Sequence, residues 1–125
     1  MKSIDLDQID AFIFDFDGVL TNNKVFVDTN GNEMVLCSRA DGLAFDVLRV
    51  LNKPCFILST EKNKVVEERA KKLRIEVLHG LQDKLKSLEK LVINKKYKKS
   101  KIFYVGNDLN DFLVMKECGY TACPS

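Results

Sequence analysis

Ala11-Phe12-Ile13-Phe14-Asp15-Phe16-Asp17-Gly18-Val19-Leu20-Thr21 is the stretch on which the fold turns. Its first four residues form a short continuous apolar run, the pattern of a parallel strand covered on both faces. Two aspartates follow at a spacing of two, with a glycine directly behind them. Paired carboxylates at the end of a strand repel each other and lose hydration, so both stay charged only where a cation joins them. The run therefore implies a hard metal ion with oxygen ligands, such as Mg2+.

Downstream the pattern changes. Lys24-Val25-Phe26-Val27 and Glu33-Met34-Val35-Leu36-Cys37 flank Asp28-Thr29-Asn30-Gly31-Asn32. An Asn-Gly between β-prone runs signals a hairpin, and residues 22–37 read as a projecting β-flap. From Asp41, Ala44, Val47, Leu48 and Leu51 recur at helical spacing, and Pro54 marks the return to an extended segment, Cys55-Phe56-Ile57-Leu58. The charged stretch Glu61–Leu73 keeps Val65, Val66, Ala70 and Leu73 for one helical face. Ile75-Glu76-Val77-Leu78 then reads as a strand and Asp83–Val92 as a helix. Ile102-Phe103-Tyr104-Val105 is the last clear strand, and Leu109–Cys118 reads as the helix after it, closed by Gly119 in a capping position.

This alternation predicts an α/β fold, a Rossmann-like three-layer parallel sheet flanked by helices, with ligands bound at the carboxyl ends of the strands. Polar clusters fall at those ends: Asp15/Asp17, Ser59/Thr60/Glu61, His79/Gly80 with Lys84 nearby, and Asn107/Asp108/Asp111.

The 125 residues, 46% of them hydrophobic, suit a single domain over 1–125. Twenty basic against 18 acidic residues leave a formal net charge of +2, so bulk charge makes no case for nucleic acid or membrane as a partner. The basic run Lys95–Lys101 reads as one solvated loop. Cys37, Cys55, Cys118 and Cys123 form no C-x-x-C pair and read as reduced thiols. No segment approaches the roughly 20 apolar residues of a membrane span, and the first ten residues lack the apolar run of a signal peptide. The expected location is cytoplasmic.

The clusters can carry phosphoryl transfer. Asp15 is placed to attack phosphorus as a carboxylate nucleophile, while Asp17 protonates the leaving alcohol and later activates water. Gly18 lets backbone N–H groups approach the phosphate, Ser59 bonds a phosphoryl oxygen, and Lys84 neutralises developing charge. No Gly-x-x-x-x-Gly-Lys-Ser/Thr loop is present to suggest an ATPase.

In order and placement, Asp15-Phe16-Asp17-Gly18, Ser59, Lys84 and Gly106-Asn107-Asp108-Leu109-Asn110-Asp111 resemble the four motifs of the haloacid dehalogenase (HAD) superfamily. The flap, the segment Arg39-Ala40-Asp41-Gly42-Leu43 and the stretch from Leu58 to Lys84 extend the likeness to the capless sugar-acid phosphatases of 3-deoxy-manno-octulosonate (KDO) 8-phosphate and nonulosonate 9-phosphates. The resemblance implies a Mg2+-dependent phosphatase with a small-molecule sugar phosphate as substrate. It also implies a homotetramer whose neighbouring subunits close the active sites. It places the metal on Asp15, Asp17, Asn107, Asp108 and Asp111, and the substrate on Gly18, Thr60, Glu61, Arg69, Lys72 and Arg39. Thr60-Glu61 stands where octulosonate enzymes usually have Gly-Arg and nonulosonate enzymes place a Glu, which makes a nonulosonate 9-phosphate the expected substrate and KDO 8-phosphate the alternative.

Three departures from that pattern carry expectations of their own. Asn107 replaces the first Asp of a Gly-Asp-Asp loop, so an amide oxygen would bind the metal with one less negative charge. The same Gly-Asn-Asp resembles the phosphatase-like tail of acylneuraminate cytidylyltransferases, and a weakly active oligomerisation module is the rival reading. Arg39 sits one position earlier than the arginine of the octulosonate enzymes. The chain ends at Ser125, so the family's C-terminal strand and tail are expected to be missing.

Overall fold

In the computed structural model, which describes residues 3–125, the chain runs β1 (Ala11–Phe14), β2 (Thr21–Val27), β3 (Glu33–Cys37), α1 (Arg39–Val50), β4 (Cys55–Leu58), α2 (Val65–Leu73), β5 (Glu76–Leu78), α3 (Lys84–Lys95), β6 (Ile102–Val105), α4 (Phe112–Glu117) and β7 (Tyr120–Ala122). Five strands form one parallel sheet in the order β5-β4-β1-β6-β7. β2 and β3 form a separate antiparallel pair. The α/β expectation and the flap both hold.

Alternation along the strands builds two cores. Ala11, Ile13, Phe56, Leu58, Ile102 and Tyr104 face Leu88, Leu91 and Val92 of α3 and Val114 of α4. Ile57, with Phe16 and Leu20, faces Phe45 of α1 and Val66, Ala70 and Leu73 of α2. Each such side chain contributes about 1.5–3 kcal/mol on full burial. Helices of 6 to 12 residues, marginal on their own, are therefore held by packing rather than propensity.

Register sets the site. Phe14 pairs with Ile57 on one side and Val105 on the other, so β1 and β6 end level, β4 runs one residue further, and Asp15, Gly106 and Ser59 emerge at the same edge of the sheet. The flap turn is organised by Asp28, whose carboxylate accepts from the Asn30 and Asn32 backbone N–H groups and from Asn32 Nδ2.

Three local expectations change. The second helix starts at Val65 rather than Glu61, because Glu61 and Asn63 use their side chains to cap nearby backbone: Asn63 N donates to Glu61 Oε1 and Val65 N to Asn63 Oδ1. Gly119 does not cap α4 in the left-handed region; Cys118 ends the helix in extended geometry, and a Cβ on Gly119 would lie 1.8 Å from the Ser100 carbonyl oxygen. A glycine stands there for close approach. Finally, a strand does follow the last helix: β7 pairs with β6.

Candidate active site

The site grows from the level strand ends. Asp15, the residue after β1, is 4% exposed, and its backbone N–H donates to the Val105 carbonyl at 2.9 Å. Asp83 caps α3 by accepting from Lys86 N, which sets Lys84 in the first turn, aimed inward and 4% exposed. Lys84 Nζ donates to Asp15 Oδ1 and to Asp111 Oδ1, each at 2.8 Å. Asp111, fully buried, also accepts from the Tyr104 hydroxyl at 2.7 Å and, through Oδ2, from Asn107 N at 3.1 Å. Two carboxylates thus share one buried ammonium, with a phenol and a backbone N–H completing the second of them.

Burial pushes the Asp15 carboxyl up to about 6, against the pull of Lys84. Burial acts the same way on Asp111, but hydrogen bonds from Lys84 and Tyr104 outweigh it and hold that carboxyl below its usual range. Asp17 is raised by burial, then by Glu61 and Glu33. Both members of the aspartate pair are short of positive charge as they stand.

Gly18 adopts φ +82°, with its N–H donating to Thr21 Oγ1, and a Cβ there would meet the Asn107 side chain at 1.9 Å. Glycine is needed on both counts, and the contact sets Asn107 beside the Asp15–Gly18 turn. Ser59 is 1% exposed, and its hydroxyl accepts from Glu61 N.

The donor chemistry fits Mg2+, and the five expected ligands differ in how far their oxygens are already engaged. Among the described residues no three His, Cys, Asp or Glu side chains are grouped to hold a metal ion. Asp111 is spent on Lys84, Tyr104 and Asn107 N, and the Asp108 carboxylate turns back to cap Leu109 N. Asp15, Asp17 and Asn107 are left, an all-oxygen set that water and a phosphate oxygen would complete.

The residues expected to bind substrate divide. A cavity of about 220 Å3 between flap and sheet is lined by Asp17, Asn23, Lys24, Glu33 and Glu61, among others. Arg39, Arg69 and Lys72 lie outside it: Arg69 Nη2 donates to the Ser38 carbonyl, while Lys72 and Arg39 are exposed on their helices. Thr60 is exposed, with Oγ1 3.5 Å from Asn110 Nδ2. Two residues were not anticipated. Glu33 faces Asp17 because the flap folds over the site, and Asn63 Nδ2 donates to it at 3.2 Å. Tyr104 was signalled only by being the one polar tip in an apolar strand.

No protein-family model matches the chain. A Streptomyces avermitilis protein described as a HAD family hydrolase superposes with a TM-score of 0.91 at 39% identity, over 94% of this chain and 68% of that one. The chain belongs to the HAD superfamily. Within that superfamily its likeness is to the KDO 8-phosphate phosphatases. The Salmonella typhi enzyme KdsC is 31% identical over 114 residues, 90% of this chain and 61% of that protein. The Moraxella catarrhalis KDO 8-phosphate phosphatase, solved with magnesium, phosphate and KDO, superposes with a TM-score of 0.89 at 28% identity, over 94% and 68%. The chain spans about three fifths of the length of the curated relatives it matches. No described helix of this HAD chain is long and apolar enough to cross a membrane.

Proposed function

We propose that the chain is a Mg2+-dependent phosphomonoesterase acting through an aspartyl phosphate on a phosphorylated 2-keto-3-deoxy sugar acid, with KDO 8-phosphate as first candidate. The observation that carries the reaction is the buried Asp15–Lys84–Asp111 chain. A lysine held between two carboxylates keeps one further N–H donor, and its bond to Asp15 holds the ammonium beside the oxygen that would carry the phosphoryl group. An Asp15 oxygen attacks phosphorus and the bond to the sugar oxygen breaks. Asp17, whose carboxyl is pushed up by burial and by its acidic neighbours Glu61 and Glu33, gives a proton to the leaving oxygen and later takes one from the water that cleaves the acyl phosphate. Ser59, whose hydroxyl oxygen accepts from Glu61 N, donates its own O–H to a phosphoryl oxygen, and Gly18 keeps the turn beside it free of a side chain. Mg2+ held by Asp15, Asp17 and Asn107 would offset the charge of phosphate and carboxylates together.

Expectation from Glu61 favoured a nonulosonate 9-phosphate, but the relatives act on KDO 8-phosphate, and the proposal follows them. A homotetramer is proposed alongside. The flap holds Val25, Phe26, Val27, Met34 and Leu36 at 51 to 71% exposure, apolar surface that a neighbouring subunit would cover. Four free cysteines suit a reducing, cytoplasmic setting.

The test is phosphate release from KDO 8-phosphate and from nonulosonate 9-phosphates, with Mg2+ and with a chelator, for the wild type and Asp15→Asn. Wild-type turnover no faster than Asp15→Asn on every compound would show the reading to be wrong.

A further inference from the structure

Tyr104 lies in the middle of β6 with its ring fully buried in the core beneath α3 and α4. A phenol in that position loses its hydration, and the loss is recovered only through a well-made hydrogen bond. Its acceptor is Asp111 Oδ1 at 2.7 Å, the same oxygen that takes Lys84 Nζ at 2.8 Å. Asp111 Oδ2 is bound in turn by Asn107 N. The carboxylate is therefore clamped from three directions, and only one of the three donors, Lys84, also reaches Asp15. Phenylalanine would fill the same volume at this point of the strand. What tyrosine adds is a third hydrogen bond to the Asp111 carboxylate, made on the same oxygen that holds Lys84.

From this geometry we infer that Tyr104 is a positioning residue for phosphoryl transfer: its hydroxyl locks the Asp111 carboxylate, which in turn holds the Lys84 ammonium over Asp15. This deepens the proposed phosphatase reading and rests on it for its catalytic consequence. The Tyr104 hydroxyl donates to Asp111 and not to Asp15, so its hold on Lys84 passes through the Asp111 carboxylate. With the hydroxyl removed, Asp111 keeps two donors and the fold keeps its packing, but the carboxylate gains freedom to rotate and the ammonium follows it. An ammonium displaced from the transferred phosphoryl weakens stabilisation of the transition state more than binding of the ground state.

The experiment compares wild type, Tyr104→Phe, Lys84→Met and Asp15→Asn by two readouts. In lysine labelled with nitrogen-15, the ammonium cross-peak absent from Lys84→Met is assigned to Lys84. It should be slowly exchanging in the wild type and exchange several-fold faster, or broaden away, in Tyr104→Phe. In turnover, Tyr104→Phe should lower kcat about tenfold while KM stays within about twofold. An unchanged Lys84 ammonium in Tyr104→Phe overturns the inference whatever the activity. So does an unchanged kcat in Tyr104→Phe when turnover depends on Asp15. Wild-type turnover equal to that of Asp15→Asn sinks the phosphatase reading instead, and the ammonium exchange still decides whether Tyr104 positions Lys84.

Discussion

Replacing Asp15 by Asn should make the metal-free protein more stable while abolishing turnover. Asp15 is 4% exposed, and burial raises its carboxyl from 3.8 to about 6 even with Lys84 against it. Ionising it inside the fold at neutral pH therefore costs about 3 kcal/mol more than ionising it in the unfolded chain, taking 1.36 kcal/mol per unit. Asparagine mimics the neutral acid, keeps the side-chain oxygen that accepts from Phe16 N, and leaves Lys84 its bond to Asp111. Lys84 loses one charged partner, so a gain of about 1–3 kcal/mol is expected, roughly 4–12 °C in Tm for a domain of this size. The sign with pH follows from proton binding. Between 3.8 and about 6 the folded state holds more protons at Asp15 than the unfolded chain does, so wild-type stability falls as pH rises through that window. The advantage of Asp15→Asn should accordingly be full above pH 6 and gone near pH 4. Thermal melts of both proteins in chelator from pH 4 to 8 measure it. Saturating Mg2+ should narrow the gap by stabilising only the wild type, by about 2.7 kcal/mol at a hundredfold excess over Kd. Asp15→Asn no more stable at pH 7.5, or equally advantaged at pH 4, would refute the reasoning.

Asn107→Asp should tighten Mg2+ about tenfold by restoring a carboxylate to the loop beside Gly18, seen as a lower Mg2+ concentration for half-maximal turnover. An unchanged Mg2+ dependence would remove Asn107 from the ligand set. Gly119→Ala should destabilise the chain by several kcal/mol, because its Cβ would meet the Ser100 backbone carbonyl and neither segment has a flexible side chain to yield. Urea titration reads the change, and a midpoint equal to wild type would contradict the close approach.

Much of this was legible in the sequence for a physical reason. Apolar runs of four residues such as Ala11–Phe14 and Ile102–Val105 are too short for a buried helix and fit central strands, which puts the carboxylates behind them at strand ends. The flap was readable from Asn30-Gly31. What was not legible depends on tertiary contact. That Asp111 anchors Lys84 is visible only once the fold sets Tyr104 behind it, donating to the same oxygen. Arg69 and Lys72 share a helix with good spacing toward the site, yet Arg69 Nη2 donates to the Ser38 carbonyl and Lys72 faces solvent. β7 was missed because Tyr120–Ala122 is only three residues long and becomes a strand by lying against β6. Gly119 looked like a cap because sequence cannot distinguish a glycine needed for its backbone angle from one needed for space.

Covalent capture on Asp15 tests the central claim most directly. Wild-type protein mixed with phosphate-labelled KDO 8-phosphate and Mg2+, then quenched in acid within its first turnovers, should carry label on the peptide containing Asp15. Hydroxylamine should release that label, and Asp15→Asn should carry none. Wild-type turnover with no label on that peptide, or with label on another residue, would contradict the account.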